Sequence, residues 1–253
     1  MEKISVSKNF VSGMETVIPS VNDSPYKRII AIGDVHGCFD KLMSLWKKLE
    51  VTDNDLVIFL GDYVDRGAQV AETLKWILEQ SKKENFIFLS GNHEHMLLEV
   101  FYKRMNKITW FFNGGQTTIR GLRELKSEDK NFIERFLTFL ENLPLSYSIK
   151  LGGQTFFFCH AGVDSDKPLE EQPADFLLWA REEFFDVYEG DVLIISGHNP
   201  VQAFEKFGVA DNPRPVKLPD RNILLMDTGS FIRGGKISAL NILTGEYWQS
   251  DLV

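Results

Sequence analysis

Three stretches of the chain share one pattern of apolar and polar positions. KRIIAIGD (27–34), DLVIFLGD (55–62) and NFIFLSGN (85–92) each run through a strand-length apolar segment into Gly and then a carboxylate or an amide. Runs of Ile, Val, Leu and Phe at this length predict buried strands. Between them, CFDKLMSLWKKLE repeats Leu42, Leu45, Trp46 and Leu49 at helical spacing, and AQVAETLKWILEQ does the same with Val70, Leu74, Ile77 and Leu78. Strand–helix–strand–helix–strand predicts a parallel sheet with right-handed crossovers. In such sheets ligand sites gather beyond the carboxyl ends of the strands, and the polar residues sit there.

A helical region is expected from Glu94 to about Leu143. The second half changes character. LSYSIKLGGQTFFFCHAG predicts two strands turning at Gly152-Gly153, with His160 at the exit of the second. DVLIISGHNP is a further apolar strand ending in Gly197 and His198. RNILLMDTGS and KISALNILTGEYWQS predict closing strands, the latter a hairpin turning near Thr244-Gly245. A second sheet, mixed or antiparallel, is therefore expected to pack on the first. Residues 1–26, mixed and polar, suggest a loosely ordered arm, and 27–253 a single catalytic domain.

Composition narrows the class. The chain has 253 residues, 43% hydrophobic and 25% charged, as ordinary globular proteins do. A net charge of −8 argues against a nucleic-acid backbone as the main partner. It leaves phosphorylated substrates open, because a cation in the site reverses the local sign. Two cysteines outside any C-x-x-C pair give no zinc ribbon and suit a reducing compartment. Cys38 and Cys159 are expected as buried small hydrophobes. The N-terminus has no continuous apolar core of a signal peptide, and no stretch approaches the ~18 apolar residues of a membrane span. The expectation is a cytoplasmic protein without membrane contact; oligomeric state is not legible.

The polar residues at strand exits are Asp34, His36, Asp62, Asp65, Arg66, Asn92, His93, His160 and His198. Of five histidines four belong to this set. A lone histidine after a strand is usually structural; four of five in that position point to a shared site. Two carboxylates, an amide oxygen and three imidazoles form a thiolate-free N/O set suited to Mn, Fe or Zn. Two metals sharing a carboxylate bridge are a recurrent device for phosphoryl chemistry. A guanidinium such as Arg66 grips phosphate oxygens in pairs. Asp65 can orient and polarise a histidine, and His93 can then protonate a departing alkoxide. His95 is expected as an ordinary helix residue.

GDVHG (33–37), GDYVDRG (61–67), GNHE (91–94), HAG (160–162) and GH (197–198) together resemble the motif series of the metallophosphoesterases, more narrowly the bacterial branch of the PPP phosphoprotein phosphatases. The likeness runs from about Lys27 to Ile242. It implies an α/β fold, a β-sandwich of two mixed sheets flanked by helices, with a two-metal site at one edge. It implies that Asp34 and His36 bind the first metal, that Asp62 bridges, and that Asn92, His160 and His198 bind the second, Asn92 also touching phosphate. Arg66 would hold the phosphate, helped by Arg181 in LLWAREEF, and His93 paired with Asp65 would be the general acid. The segment ITWFFNGGQTT (108–118) resembles one lying near the site in bacterial relatives.

The activity implied is hydrolysis of phosphoserine or phosphothreonine in proteins, or of small phosphoesters, by direct attack of metal-activated water on phosphorus. Mn is the expected metal, with Fe or Zn next. A dinucleoside tetraphosphatase using the same metals on a phosphoanhydride is the nearest alternative; a non-catalytic metal-binding scaffold is a more distant one.

Overall fold

The computed structural model describes residues 9–14 and 24–252. Among the described residues eleven strands form two sheets. The first is ordered β1-β11-β10-β2-β3-β4 and the second β5-β6-β7-β9-β8. In the first, β2 (Arg28–Ile32), β3 (Asp55–Phe59) and β4 (Phe86–Phe88) are parallel and joined by α1 (Phe39–Leu49) and α2 (Val70–Gln80). In the second, β6 (Gln154–Cys159), β7 (Leu193–Ser196) and β9 (Ile223–Leu225) are parallel; β5 (Ser146–Leu151) and β8 (Val216–Lys217) close its edges antiparallel.

Alternation along the strands sorts their side chains into layers. Ile29, Ala31, Leu56 and Ile58 face inward and meet Phe156, Phe158, Leu193 and Ile195 of the second sheet. Ile30, Ile32, Val57 and Phe59 face outward onto helices, packing with Leu42, Leu45, Leu74 and Ile77. On that side also lie α3 (Asn92–Phe101), α4 (Lys107–Phe112), α5 (Gly115–Glu128) and α6 (Phe132–Glu141). Phe157, Cys159 and Ile194 face the other way, against α7 (Ala174–Trp179) and α8 (Glu182–Val187). The result is helices, sheet, sheet, helices, as expected.

One expectation is corrected. The terminal hairpin, β10 (Ser238–Asn241) and β11 (Glu246–Gln249), does not join the second sheet after β9. Instead β10 pairs antiparallel with β2, Leu240 opposite Ala31. All four β10 residues are buried. Ala239 packs toward the helices and Leu240 toward the other sheet. A strand apolar on both faces needs a two-sided berth, and β2's open edge offers one. Within the stretch expected as an arm, β1 (Asn9–Phe10) pairs antiparallel with β11, and Val11 and Met14 are buried against the inter-sheet core. Residues 1–8 and 15–23 of that stretch lie outside the described residues. Among the described residues, no helix is long and apolar enough to cross a membrane.

Candidate metal centre

Six parallel strands, three from each sheet, end at one edge of the sandwich. Each exit carries a buried polar residue: Asp34 and His36 after β2, Asp62 and Asp65 after β3, Asn92 and His93 after β4, His160 after β6, His198 after β7, and Asp227 after β9. The chain turns sharply to aim them. His36, Asp62, Asp65, Arg66 and His198 adopt left-handed φ values of 46–69°, five of the seven non-glycine residues described with positive φ. Such conformations are disfavoured for residues with a Cβ and persist where the surroundings enforce them.

Glu94 holds the Asp62 turn in this conformation. It is fully buried, and its carboxylate accepts from the backbone N–H groups of Asp62 (2.7 Å), Tyr63 (2.8 Å), Val64 (3.2 Å) and Gly91 (3.0 Å). Burial pushes its pKa up to about 7, against the downward pull of these four donors. Gly91 must lack a side chain, since a Cβ there would collide with Asp62. The backbone N–H of His93 then donates to Asp62 Oδ1 at 3.1 Å.

The donor atoms face one another in a way that calls for cations. His36 Nδ1 lies 2.9 Å from the Val64 carbonyl and His160 Nδ1 2.8 Å from that of Leu60. Carbonyls only accept, so both Nδ1 atoms carry the proton and each Nε2 lone pair points into the site. Asp62 spans the two: Oδ2 is 3.3 Å from His36 Nε2 and Oδ1 is 3.4 Å from His160 Nε2. Asn92 Oδ1, His160 Nε2 and His198 Nδ1 converge at 3.0–3.2 Å, while the buried Nε2 of His198 has no partner. Asp34 Oδ2 is 3.9 Å from His36 Nε2, and both Asp34 oxygens accept from the His198 backbone N–H. Burial lowers the imidazoles, His160 to about 3 and His36 and His198 also below their ordinary value, and raises Asp34 and Asp62. Neutral imidazoles and carboxylates that resist ionising, with lone pairs crowded together, are what divalent cations stabilise. The donor set fits two cations sharing Asp62.

Beside it stands a second cluster. His93 Nδ1 is 2.7 Å from Asp65 Oδ2, which also accepts from Trp110 Nε1 at 2.7 Å. Thr118 Oγ1 donates to Asp65 Oδ1 and accepts from the Asp65 backbone N–H at 2.8 Å. Burial drives Asp65 up to about 7 and His93 well below its ordinary value. Arg66 lies alongside, its Nη1 3.3 Å from His36 Nε2. Its backbone N–H donates to the Gly114 carbonyl, and that glycine has φ +97° with no room for a Cβ beside Arg66. Arg181, exposed just before α8, is near enough for its charge to lower His93, His160 and His198. His95 is turned away, 3.9 Å from Glu99. Both cysteines are free, Cys159 buried and Cys38 partly so.

Four residues of the centre escaped the sequence reading. Glu94 belonged to a motif but carried no role. Trp110 and Thr118 fall in the segment 108–118 that the resemblance set near the site, but neither carried a role there; they reach Asp65 from α4 and α5. Asp227 had one: it follows an apolar strand, as the other site acids do. Its carboxyl, raised to about 6 by burial, adjoins that of Asp34.

A sequence profile of the calcineurin-like phosphoesterase family matches residues 27–229. The bis(5'-nucleosyl)-tetraphosphatase PrpE [asymmetrical] of Anoxybacillus flavithermus is 30% identical over 234 residues, covering 83% of this chain and 88% of that one. Serine/threonine-protein phosphatase 2 of Salmonella typhimurium is 26% identical over 217 residues, covering 85% and 93%. Among solved structures, a candidate diadenosine tetraphosphatase superposes with a TM-score of 0.64 at 18% identity, over 92% of this chain and 96% of that one, a likeness of fold. The chain belongs to the calcineurin-like phosphoesterase family and is a metallophosphoesterase of the PPP type.

Proposed function

We propose that this hydrolase acts on phosphomonoesters of aliphatic alcohols, phosphoserine and phosphothreonine in proteins foremost. The supporting observation is the pair His93–Asp65. An alkoxide is a poor leaving group and needs a proton as the P–O bond breaks; a nucleotide leaving an anhydride does not. The chain devotes two donors, Trp110 and Thr118, to fixing the one carboxylate that orients His93.

In this reading Asp34 and His36 hold one cation, Asn92, His160 and His198 the other, and Asp62 both. When bound, the cations supply Lewis acidity, polarising phosphoryl oxygens and lowering the pKa of water. Arg66 and Arg181 grip the non-bridging oxygens, and Asn92 adds a contact to phosphate. Burial, with the charges of Arg66 and Arg181, keeps His93 neutral; an entering phosphate dianion favours its imidazolium. Asp65 accepts a hydrogen bond from Nδ1–H, fixing the ring so that Nε2 delivers its proton to the leaving oxygen. Ile108 and Phe112, exposed and one turn apart on α4 beside buried Trp110, offer an apolar rim for residues flanking the phosphate. Mn is the proposed metal, since a carboxylate–imidazole–amide set without thiolate suits it.

A second reading, a dinucleoside tetraphosphatase, is supported by the names of several relatives about 28–30% identical. The metal-stripped chain reloaded with Mn, offered a phosphoserine/phosphothreonine peptide, a phosphotyrosine peptide, diadenosine tetraphosphate and an aryl phosphate, separates the two. Preferred turnover of the phosphoserine/phosphothreonine peptide is expected. Dominant cleavage of diadenosine tetraphosphate would overturn it in favour of the second reading.

A further inference from the structure

Among the described residues Arg66 makes no direct ion pair, although its charge reaches the buried carboxyls of Asp34, Asp62, Asp65 and Asp227. Besides the contact of its Nη1 with His36 Nε2 at 3.3 Å, what holds its guanidinium is an aromatic ring. Phe231 lies with its centroid 4.3 Å from Arg66 Cζ and stands perpendicular to His36, centroids 5.1 Å apart. At 38% exposure it is neither a core residue nor free in solvent.

The loop that carries it is closely tied. Thr228 Oγ1 donates to the Lys236 carbonyl at 2.7 Å, closing its base, and the Gly229 N–H donates to Asp227 Oδ1 at 2.8 Å. Lys41, on α1, reaches across and donates to the carbonyls of Ser230 and Gly235, both at 2.7 Å. A lysine spent on two backbone carbonyls fixes the segment between them, and Phe231 is in that segment.

The chemistry explains why the partner is a ring. A carboxylate would also order a long arginine, but it would occupy the N–H fork and compete with phosphate. An aromatic face attracts the flat side of the guanidinium and leaves the in-plane donors free. We propose that Phe231 is a positioning residue that holds the Arg66 fork ready for phosphate, and that Lys41 fixes the loop from which it does so. The inference rests on Arg66 being the phosphate clamp.

The test measures binding of inorganic phosphate to the Mn-loaded full chain by calorimetry, with KM and kcat on an aryl phosphate alongside. Phe231→Leu is expected to weaken phosphate binding and raise KM by roughly 3- to 30-fold, the range of a cation–π contact, with kcat changed less. Phe231→Tyr, which keeps the face, retains wild-type binding. Lys41→Met, which frees the loop without altering the ring, weakens binding in the same direction. In an Arg66→Ala background Phe231→Leu adds nothing. Unchanged phosphate binding in Phe231→Leu overturns the proposal, as does an equal loss with and without Arg66, which would mean that the ring meets the ligand itself. Unchanged binding in Lys41→Met removes the role given to that residue. Should Arg66→Ala alone bind phosphate as the wild type does, the clamp reading underneath falls instead.

Discussion

The centre is made of residues held where they would not rest alone. Five of its side chains start from left-handed backbone, each at a cost on the order of 1–3 kcal/mol. Glu94 offsets part of this through its four backbone N–H donors. Glu94→Gln keeps the shape but brings an NH₂ group against donors; stability in urea is expected to fall by about 2–3 kcal/mol, with weaker metal retention on dialysis. Asp62→Asn removes charge from the atom pair spanning both histidine groups, and metal content and turnover should fall together. For His93→Asn, turnover of alkyl phosphoesters should drop far more than turnover of aryl esters, whose leaving group needs little protonation. Equal losses on both would exclude the general-acid role.

Secondary-structure elements supply what the motif loops cannot. The parallel strands of the first sheet deliver site residues in pairs and those of the second sheet singly, and the helices supply groups that orient them. Trp110 on α4 and Thr118 on α5 both bond Asp65, so the distance between these helices sets the His93 ring. Trp110→Phe keeps most of the packing and deletes one donor. It is expected to lower kcat on an alkyl phosphoester by about tenfold, the worth of a charge-assisted hydrogen bond, with KM little changed. A matching loss in KM alone would assign Trp110 to substrate contact rather than to Asp65. The terminal hairpin teaches the same lesson for packing. Its alternation is visible in sequence, but its berth beside β2 depends on an edge that exists only once β2 and β3 have paired.

At the scale of the molecule, the sandwich concentrates buried ionisable groups at one edge, and pH dependence follows. The buried carboxyls, among them Asp65 and Glu94 at about 7 and Asp227 at about 6, have pKa values raised by folding. Such groups bind more protons folded than unfolded, so their contribution to stability is lost as pH rises through the raised values. The imidazoles, lowered by burial, act oppositely, and theirs is gained as pH rises to about 6.5, the unfolded value. The two offset each other below about 6.5; above it only the carboxyls remain. Metal-stripped protein is therefore expected to lose thermal stability between about pH 6.5 and 8, and metal loading to flatten that slope. A flat profile for the stripped protein would contradict the balance.

The sequence by itself determined most of the strands, the crossover helices and the polar residues at the strand exits, because each is local: an apolar run long enough to be a strand, then Gly, then a polar residue at its exit. It also carried the pairing of Asp65 with His93, through motifs whose spacing reflects neighbouring strand ends. Tertiary structure alone decided the rest. Which sheet receives the last hairpin, which carboxylate clamps the Asp62 loop, which side chains orient Asp65 and which ring faces Arg66 are contacts between segments about 30 to 210 residues apart. No local pattern encodes such contacts. They arise when two apolar faces close and bring their unpaired polar edges together.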